Sequence, residues 1–253
     1  MTYARKVILT QILVMAALFA LLETSGHLLG ESNELLPPPS TVLYVLPSLL
    51  RDVKIELAVL ALVHQLVIAF ISSIIFGALL GYAVAATTRI ECITLPVVLL
   101  IYSIPQITIL PVFVLCFGMG AGSKIAFGIS HGLFPIALGV ISGVQRAREN
   151  PIYLRWADSL GATGFQKLRV ILLPQAVGSV CTGIRLSMAT TLLGVLLADL
   201  YVSDNGVGYY IKLFTDTQQG PKLFGLVVLL AIAAILINST IGRFERYATR
   251  WMT

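Results

Sequence analysis

Six stretches of this chain are apolar for long enough to cross a lipid bilayer as helices, at about residues 7–22, 62–86, 93–117, 125–144, 177–202 and 223–241. A hydrocarbon core is crossed by roughly 20 helical residues. The composition fits no ordinary soluble domain, in which about a quarter of residues are charged. Here 11% are charged and 57% are apolar, and the mean hydropathy is +0.92. The expected fold is therefore an all-α membrane protein with about six transmembrane helices.

Lys and Arg set the orientation, because loops that stay in the cytoplasm keep positive charge and translocated ones lose it. Arg5, Lys6, Arg89, Arg146, Arg148, Arg155, Lys167, Arg169, Arg243, Arg246 and Arg250 fall on one side of the six spans. Only Arg51, Lys54, Lys124, Lys212 and Lys222 fall on the other, and Arg185 lies inside the fifth span. Both termini are expected to be cytoplasmic. The basic start and apolar core of residues 1–26 also suit a signal peptide, but the core is long and no small-x-small site follows at once, so a retained span is expected.

Several function classes lose ground on the same residues. The net charge of +5 sits at span ends and builds no basic and aromatic platform, which argues against nucleic acid. Cys92, Cys116 and Cys181 lie in or beside apolar segments without metal-ligand spacing and read as structural thiols. His27, His64 and His131 are scattered, and no nucleophile and base can be paired, so neither a metal site nor an intramembrane enzyme is expected. His64 and Gln65 are expected to be a buried hydrogen-bonded pair. No phosphate-cradling G-x-x-x-x-G-K-[ST] occurs, and "GAGSK" at 120–124 lacks the Gly-Lys pair, so the chain is no ATPase. A stand-alone ion-coupled carrier or channel would call for more intramembrane carboxylates and for repeated spans, and neither is visible.

Between the first two spans, "ESNELLPPPSTVLYVLPSLLRDVKIE" is too polar and Pro-rich to cross. Its three prolines forbid helix and favour an extended strut, and residues 41–50 suit a short interfacial helix. "GALLG" at 77–81, "GMGAG" at 118–122, and Gly128, Gly132, Gly139 and Gly143 repeat glycine at helical spacing, which lets a neighbouring helix come close in lipid. Pro96, Pro105 and Pro111 each remove a backbone bond that lipid cannot replace, so the third span should be kinked and shielded.

The stretch "RARENPIYLRWADSLGATGFQKLRVILLP" is a polar island in the C-terminal half. Asn150 suits a helix N-cap, Pro151 the first helical position and Gly161 the stop. Thr163 and Gln166 have capping-box spacing for a second helix that should end before Pro174. Tyr153, Trp156 and Leu160 share one face of the first helix, with Arg155, Asp158 and Ser159 turned elsewhere; Phe165, Leu168 and Leu172 repeat the pattern on the second. Aromatic anchors inside a charged rim are the composition of a docking surface, and aromatics also rest at lipid headgroups.

These residues resemble the EAA loop of binding-protein-dependent ABC transporter permeases, the membrane subunits of bacterial ABC importers. The family's Leu-Gly-Ala stands at Leu160, Gly161 and Ala162, with its following proline at Pro174, while the Glu-Ala-Ala triplet reads Arg155, Trp156, Ala157. Downstream, Gly183 and Arg185, Ala198 and Asp199, and Gly206, Val207, Gly208 and Tyr209 match the family's next segment, with Asp for Glu and Val for Leu. "SIPQITILPVFVLCFGMGAGSK" is similar to the branch importing nitrate, sulfonates and taurine.

The resemblance implies one permease domain over 1–253 with the type I ABC importer permease fold. Residues 1–56 would hold the first span and the extracytoplasmic connection, 57–241 the core with its coupling-helix loop at 145–174, and 242–253 a cytoplasmic tail. It implies a multi-pass protein of the bacterial inner membrane, surrounded by lipid and paired with a second copy of itself. Two ABC ATPase subunits would carry ATP and Mg, this chain binding no cofactor or metal, and an extracytoplasmic solute-binding protein would deliver cargo. The ATPase would grip Tyr153, Arg155, Trp156, Ala157, Asp158, Ser159, Leu160, Gly161, Ala162 and Phe165. Ser103, Gln106, Arg185, Ser187, Thr190, Thr191 and Asp199 are the polar residues available to line a path. A nitrate, sulfonate or taurine-like cargo is expected, with a vitamin precursor or an aromatic acid as the alternative. Arg185 and Asp199 are about 21 Å apart along one helix and cannot pair with each other; Arg185 is expected to reach toward the cytoplasm and Asp199 to anchor the "SDNGVGYY" turn.

Overall fold

The structure, a computed structural model, describes residues 2–28, 37–149 and 152–249. Among them there is no strand, and the helices in chain order are α1 (Thr2–Leu28), α2 (Pro39–Leu50), α3 (Val53–Ala85), α4 (Thr88–Ser103), α5 (Leu110–Phe117), α6 (Ala121–Glu149), α7 (Ile152–Ser159), α8 (Gly164–Lys167), α9 (Leu173–Val202), α10 (Val207–Asp216) and α11 (Gly220–Thr249). Helices α1, α3, α6, α9 and α11 each contain an apolar stretch long enough to span a membrane. The third expected span is broken: α4 and the segment Gln106–Phe117 meet at an 82° bend. Together they run back along α6. Glu91 reaches Gln145 and Arg148 near one end of α6, Tyr102 packs on Phe134 at 5.4 Å, and Phe113 meets Phe127 at 5.6 Å. The expected kink is thus located at Pro105. Pro96 is carried inside α4 without a break, and Pro111 falls in the first turn of α5, where no N–H is missed.

α6 lies between α3 and α9 and touches both backbone to backbone. A Cβ added to Gly77 would stand 2.6 Å from the Leu133 carbonyl oxygen, and one on Gly81 2.7 Å from that of Ala137. Toward α9, Gly128 faces Val195, Gly139 faces the carbonyl of Ser179, and Gly143 faces Ala176. Gly132 receives the hydroxyls of Ser73, Ser187 and Thr191, so its Cα–H stands where only weak C–H···O contacts fit. Lipid tails are as apolar as leucine, so close backbone approach is what holds such helices together.

Several expectations are corrected. "GMGAG" does not form a glycine strip: nothing lies within 4 Å of a Cβ at Gly118 or Gly120, Gly122 meets only Phe117 at the end of α5, and Gly118 ends α5 with φ +75°, a conformation open to glycine. The second span begins nine residues early, because Asp52 caps α3 by accepting the Lys54 N–H at 3.0 Å. The third proline of the triplet does not belong to a strut. Pro39 opens α2, a position where its fixed φ is already helical, and Ser40 there bonds Glu23 of α1 through both N–H and hydroxyl. α2 packs on α11, its Leu49 filling the space over Gly225. His64 and Gln65, adjacent on α3, point apart: His64 is exposed, while Gln65 is buried and its Oε1 finds no partner among the described residues. The helix does not end before Pro174. Leu168–Leu172 form a π-helical turn that runs into α9, and the widened turn accommodates a proline that has no N–H to donate.

Replacing Gly77 by Ala should lower the unfolding midpoint of the detergent-solubilised protein, at a cost of about 1–3 kcal/mol for overpacking. Gly120→Ala, which meets open space, should stay within about 0.5 kcal/mol of wild type.

Candidate functional site

The polar island folds as a two-helix knuckle between α6 and α9. α7 stops in a Schellman motif: the Ala162 N–H donates to the Ala157 carbonyl at 2.9 Å and the Gly161 N–H to that of Asp158 at 3.0 Å, with Gly161 at φ +68°. α8 starts in a capping box, where the Thr163 N–H donates to Gln166 Oε1 at 2.8 Å and the Gln166 N–H to Thr163 Oγ1 at 3.4 Å. Lys167 pairs with Asp158 across the corner. The corner is thereby fixed by backbone geometry on both sides. Asn150 and Pro151, expected to begin α7, lie outside the described residues, as does the side chain of Phe165 in α8.

The tip of the knuckle is apolar and open. Trp156 is 65% exposed and Leu160 85%, and the Tyr153 ring meets that of Trp156 edge-on at 6.4 Å. Arg155 and Ser159 are exposed beside them, Ser159 returning its hydroxyl to the Trp156 carbonyl at 2.8 Å. Ala157 alone of α7 is buried, and Ala162 is half-buried in the corner. An exposed Trp–Leu pair in a charged frame is suited to insertion into a partner's groove.

The polar residues expected along a path do not converge. Ser187 and Thr191 are buried against Gly132, with Oγ atoms that find no partner among the described residues. Thr190 bonds back to Leu186 and Ser187 on its own helix, and Ser103 bonds back to Leu99. Gln106 lies 3.5 Å from the Ser130 hydroxyl. Arg185 lays its guanidinium against Gly242 of α11, where a Cβ would come within 3.0 Å. Asp199 is buried, its Oδ1 accepting from Lys124 Nζ at 2.7 Å and its Oδ2 from the Gly208 N–H at 2.7 Å. Lys124 Nζ also donates to Ser203 at 2.8 Å. The carboxylate thus anchors the turn before α10, as its place near the end of the span suggested. Among the described residues no group of three or more His, Cys, Asp and Glu side chains could hold a metal.

Five apolar helices and one bent pair, a glycine-packed α3–α6–α9 centre and a knuckle between α6 and α9 are the features of a membrane transport component. Residues 73–253 match the model of the binding-protein-dependent transport system inner membrane component. The chain belongs to this family. It is a multi-pass permease of the bacterial inner membrane, and its relatives are the membrane subunits of ABC importers. The permease is 26% identical to the taurine transport system permease protein TauC of Escherichia coli strain K12 over 221 residues, covering 85% of this chain and 80% of that one. It is 25% identical over 240 residues to the putative aliphatic sulfonates transport permease protein SsuC of Bacillus subtilis strain 168, covering 95% and 86%. The formylaminopyrimidine transport permease protein ThiX of Halalkalibacterium halodurans is 27% identical over 179 residues, 71% of each chain. The taurine and sulfonate branch is thus among those the permease is similar to.

Two clusters escaped the sequence. Lys124 is 75 residues from Asp199, and had been counted only as a loop charge; the available signal was that a carboxylate within a span needs a partner. At the other end, Glu91 accepts from Gln145 at 2.6 Å and from Arg148 at 2.7 Å, and Arg148 also bonds the Ala85 carbonyl, which ties α3, α4 and α6 of the permease together. No local pattern announces that meeting.

Lys124→Met should destabilise the permease by about 3 kcal/mol or more, since it strands a buried carboxylate. Adding Asp199→Asn removes the stranded charge and keeps an acceptor for Gly208. The double variant should therefore melt higher than Lys124→Met alone; a double-mutant cycle on thermal unfolding measures the coupling.

Proposed function

We propose that this permease is the membrane-spanning half of an ATP-driven importer, working as a homodimer whose interface holds the translocation path. A solute-binding protein delivers cargo on the face of α10, and two separate ATPase subunits, carrying ATP and Mg, grip the knuckles on the opposite face, where both termini lie in the cytoplasm. The observation that carries the reading is the knuckle's build: a glycine corner closed by a Schellman motif and a capping box, presenting exposed Trp156 and Leu160. A motor subunit that closes on ATP moves a distant gate only through a stiff element, and rigid-body rotation of packed helices is the available means. The cargo is a small sulfonate or taurine-like solute, in keeping with the names of two relatives. Alternating access follows: ATP closure opens the path toward the binding protein, and hydrolysis returns it inward.

Arg155, where the family has Glu, faces solvent beside Trp156. The cognate ATPase is expected to offer an acid at that point. Ser103, Gln106, Arg185 and Thr190 keep some exposure and are the members of the polar set that would line the path.

Gly161→Val tests the lever. A β-branched residue is strained at φ +68°, while no neighbour lies within 4 Å to clash with it. In vesicles holding the assembled complex, this variant should insert normally, with solute-driven ATP hydrolysis and uptake falling apart from one another. Trp156→Ala should weaken ATPase association by about tenfold or more, as for an aromatic anchor. Wild-type coupling in the first variant and unchanged co-purification in the second would reject the reading.

A further inference from the structure

Where α4, α6 and α9 diverge, a pocket of ≈ 330 Å³ opens on the side of the bundle, lined in part by Tyr102, Ser142, Arg146, Ser179, Thr182 and Gly183. Its floor is a close backbone contact between α6 and α9, since a Cβ on Gly183 would stand 2.8 Å from the Pro135 carbonyl oxygen and 3.2 Å from the Gly139 Cα. Among the described residues no acidic one lines it. Its charge comes from Arg146 alone.

Arg146 and Arg148 are two residues apart and so point about 200° apart around α6. Arg148 is committed to Glu91 and to the Ala85 carbonyl. Among the described residues no carboxylate pairs with Arg146. Ser179 is only 7% exposed, and its hydroxyl finds no partner among the described residues. A buried hydroxyl left unpaired costs free energy that a ligand can recover. Ser142 and Thr182 rest their hydroxyls on the carbonyls of Gly139 and Gly178, at 3.1 and 3.0 Å. Those carbonyls belong to helices whose backbone bonds already satisfy them, so either hydroxyl can turn to a ligand without orphaning a group.

A guanidinium without an acid, an unspent buried hydroxyl, a phenol and no carboxylate complement an oxyanion and repel a cation. We propose that this pocket binds the oxyanion head of a small solute, a sulfonate or carboxylate, as it leaves the path on the knuckle side. This rests on the importer reading and adds the residues that recognise the charge. A phospholipid headgroup shares that chemistry, and the test separates the two.

The test is equilibrium binding of radiolabelled methanesulfonate to the full-length permease with its ATPase, in phosphatidylcholine nanodiscs, with the binding protein left out so that its own site does not contribute. Saturable binding is expected, not displaced by the neutral analogue dimethyl sulfone. Arg146→Gln should weaken it about tenfold or more, the loss of one charge-assisted bond, Arg146→Lys should keep most of it, and Ser179→Ala should weaken it less than Arg146→Gln. Each variant is first checked for intact assembly and basal ATP hydrolysis. Absence of saturable binding, wild-type affinity in both Arg146→Gln and Ser179→Ala, or full displacement by added phosphatidylglycerol would overturn the proposal. A wild-type complex that fails to drive uptake on ATP, yet binds methanesulfonate through Arg146, would instead sink the importer reading and leave the site standing.

Discussion

The approach of α6 to its two neighbours through glycine is the contact on which the rest of this permease depends. In lipid, two apolar helix faces gain little by meeting, and backbone proximity supplies the dispersion and weak polar contacts that hold them. Because Gly77, Gly81, Gly139 and Gly183 each abut a carbonyl oxygen of the facing helix, the contact sets register as well as distance. A slide of one helix along another would carry a side chain onto those carbonyls. The three helices therefore behave as one slab.

Polar clamps close that slab at both ends. Lys124 and Asp199 join α6 to α9 and, through the Gly208 N–H, to α10. Glu91 and Arg148 join the broken span to α6 and to the end of α3. The Lys124–Asp199 pair is shielded from water, so neither of its charges can be left without the other, while the Glu91–Arg148 pair is partly buried, and each clamp sits where loops would otherwise let the helices fray. What remains outside is lightly held: α1 meets the rest mainly through α2, and its apolar surface is exposed almost throughout.

The sequence made the spans and the knuckle legible because their causes are local. Hydrophobic length needs no partner to be read, nor does a glycine at a helix stop or a Thr-x-x-Gln capping box, and Gly161 and Gln166 were each found where expected. The lapses share a different cause. Gly118 and Gly77 carry the same letter, yet one turns the chain and the other admits a helix, and only the tertiary neighbour distinguishes them. Pro174 reads as a helix breaker until a π turn absorbs it. Lys124 and Arg148 read as topology charges because their partners are 75 and 57 residues distant. That Ser187 and Thr191 are buried against Gly132 likewise depends on a neighbour the local sequence does not show.

The π turn at Leu168–Leu172 has a mechanical meaning as well. Had the chain broken at Pro174, α8 would hang from α9 by a free linker and the knuckle could swivel. Instead helical backbone continues from Gly164 to Val202, and the corner at Gly161 is locked by two backbone hydrogen bonds on one side and two capping bonds on the other. A displacement of the knuckle tip is therefore carried into the start of α9, which within its next turns meets α6 through Ala176 on Gly143 and Gly183 on Gly139. The second of these contacts floors the Arg146 pocket. The tip and the pocket are joined by unbroken helix and direct backbone contact, so a load on one cannot leave the geometry of the other unchanged.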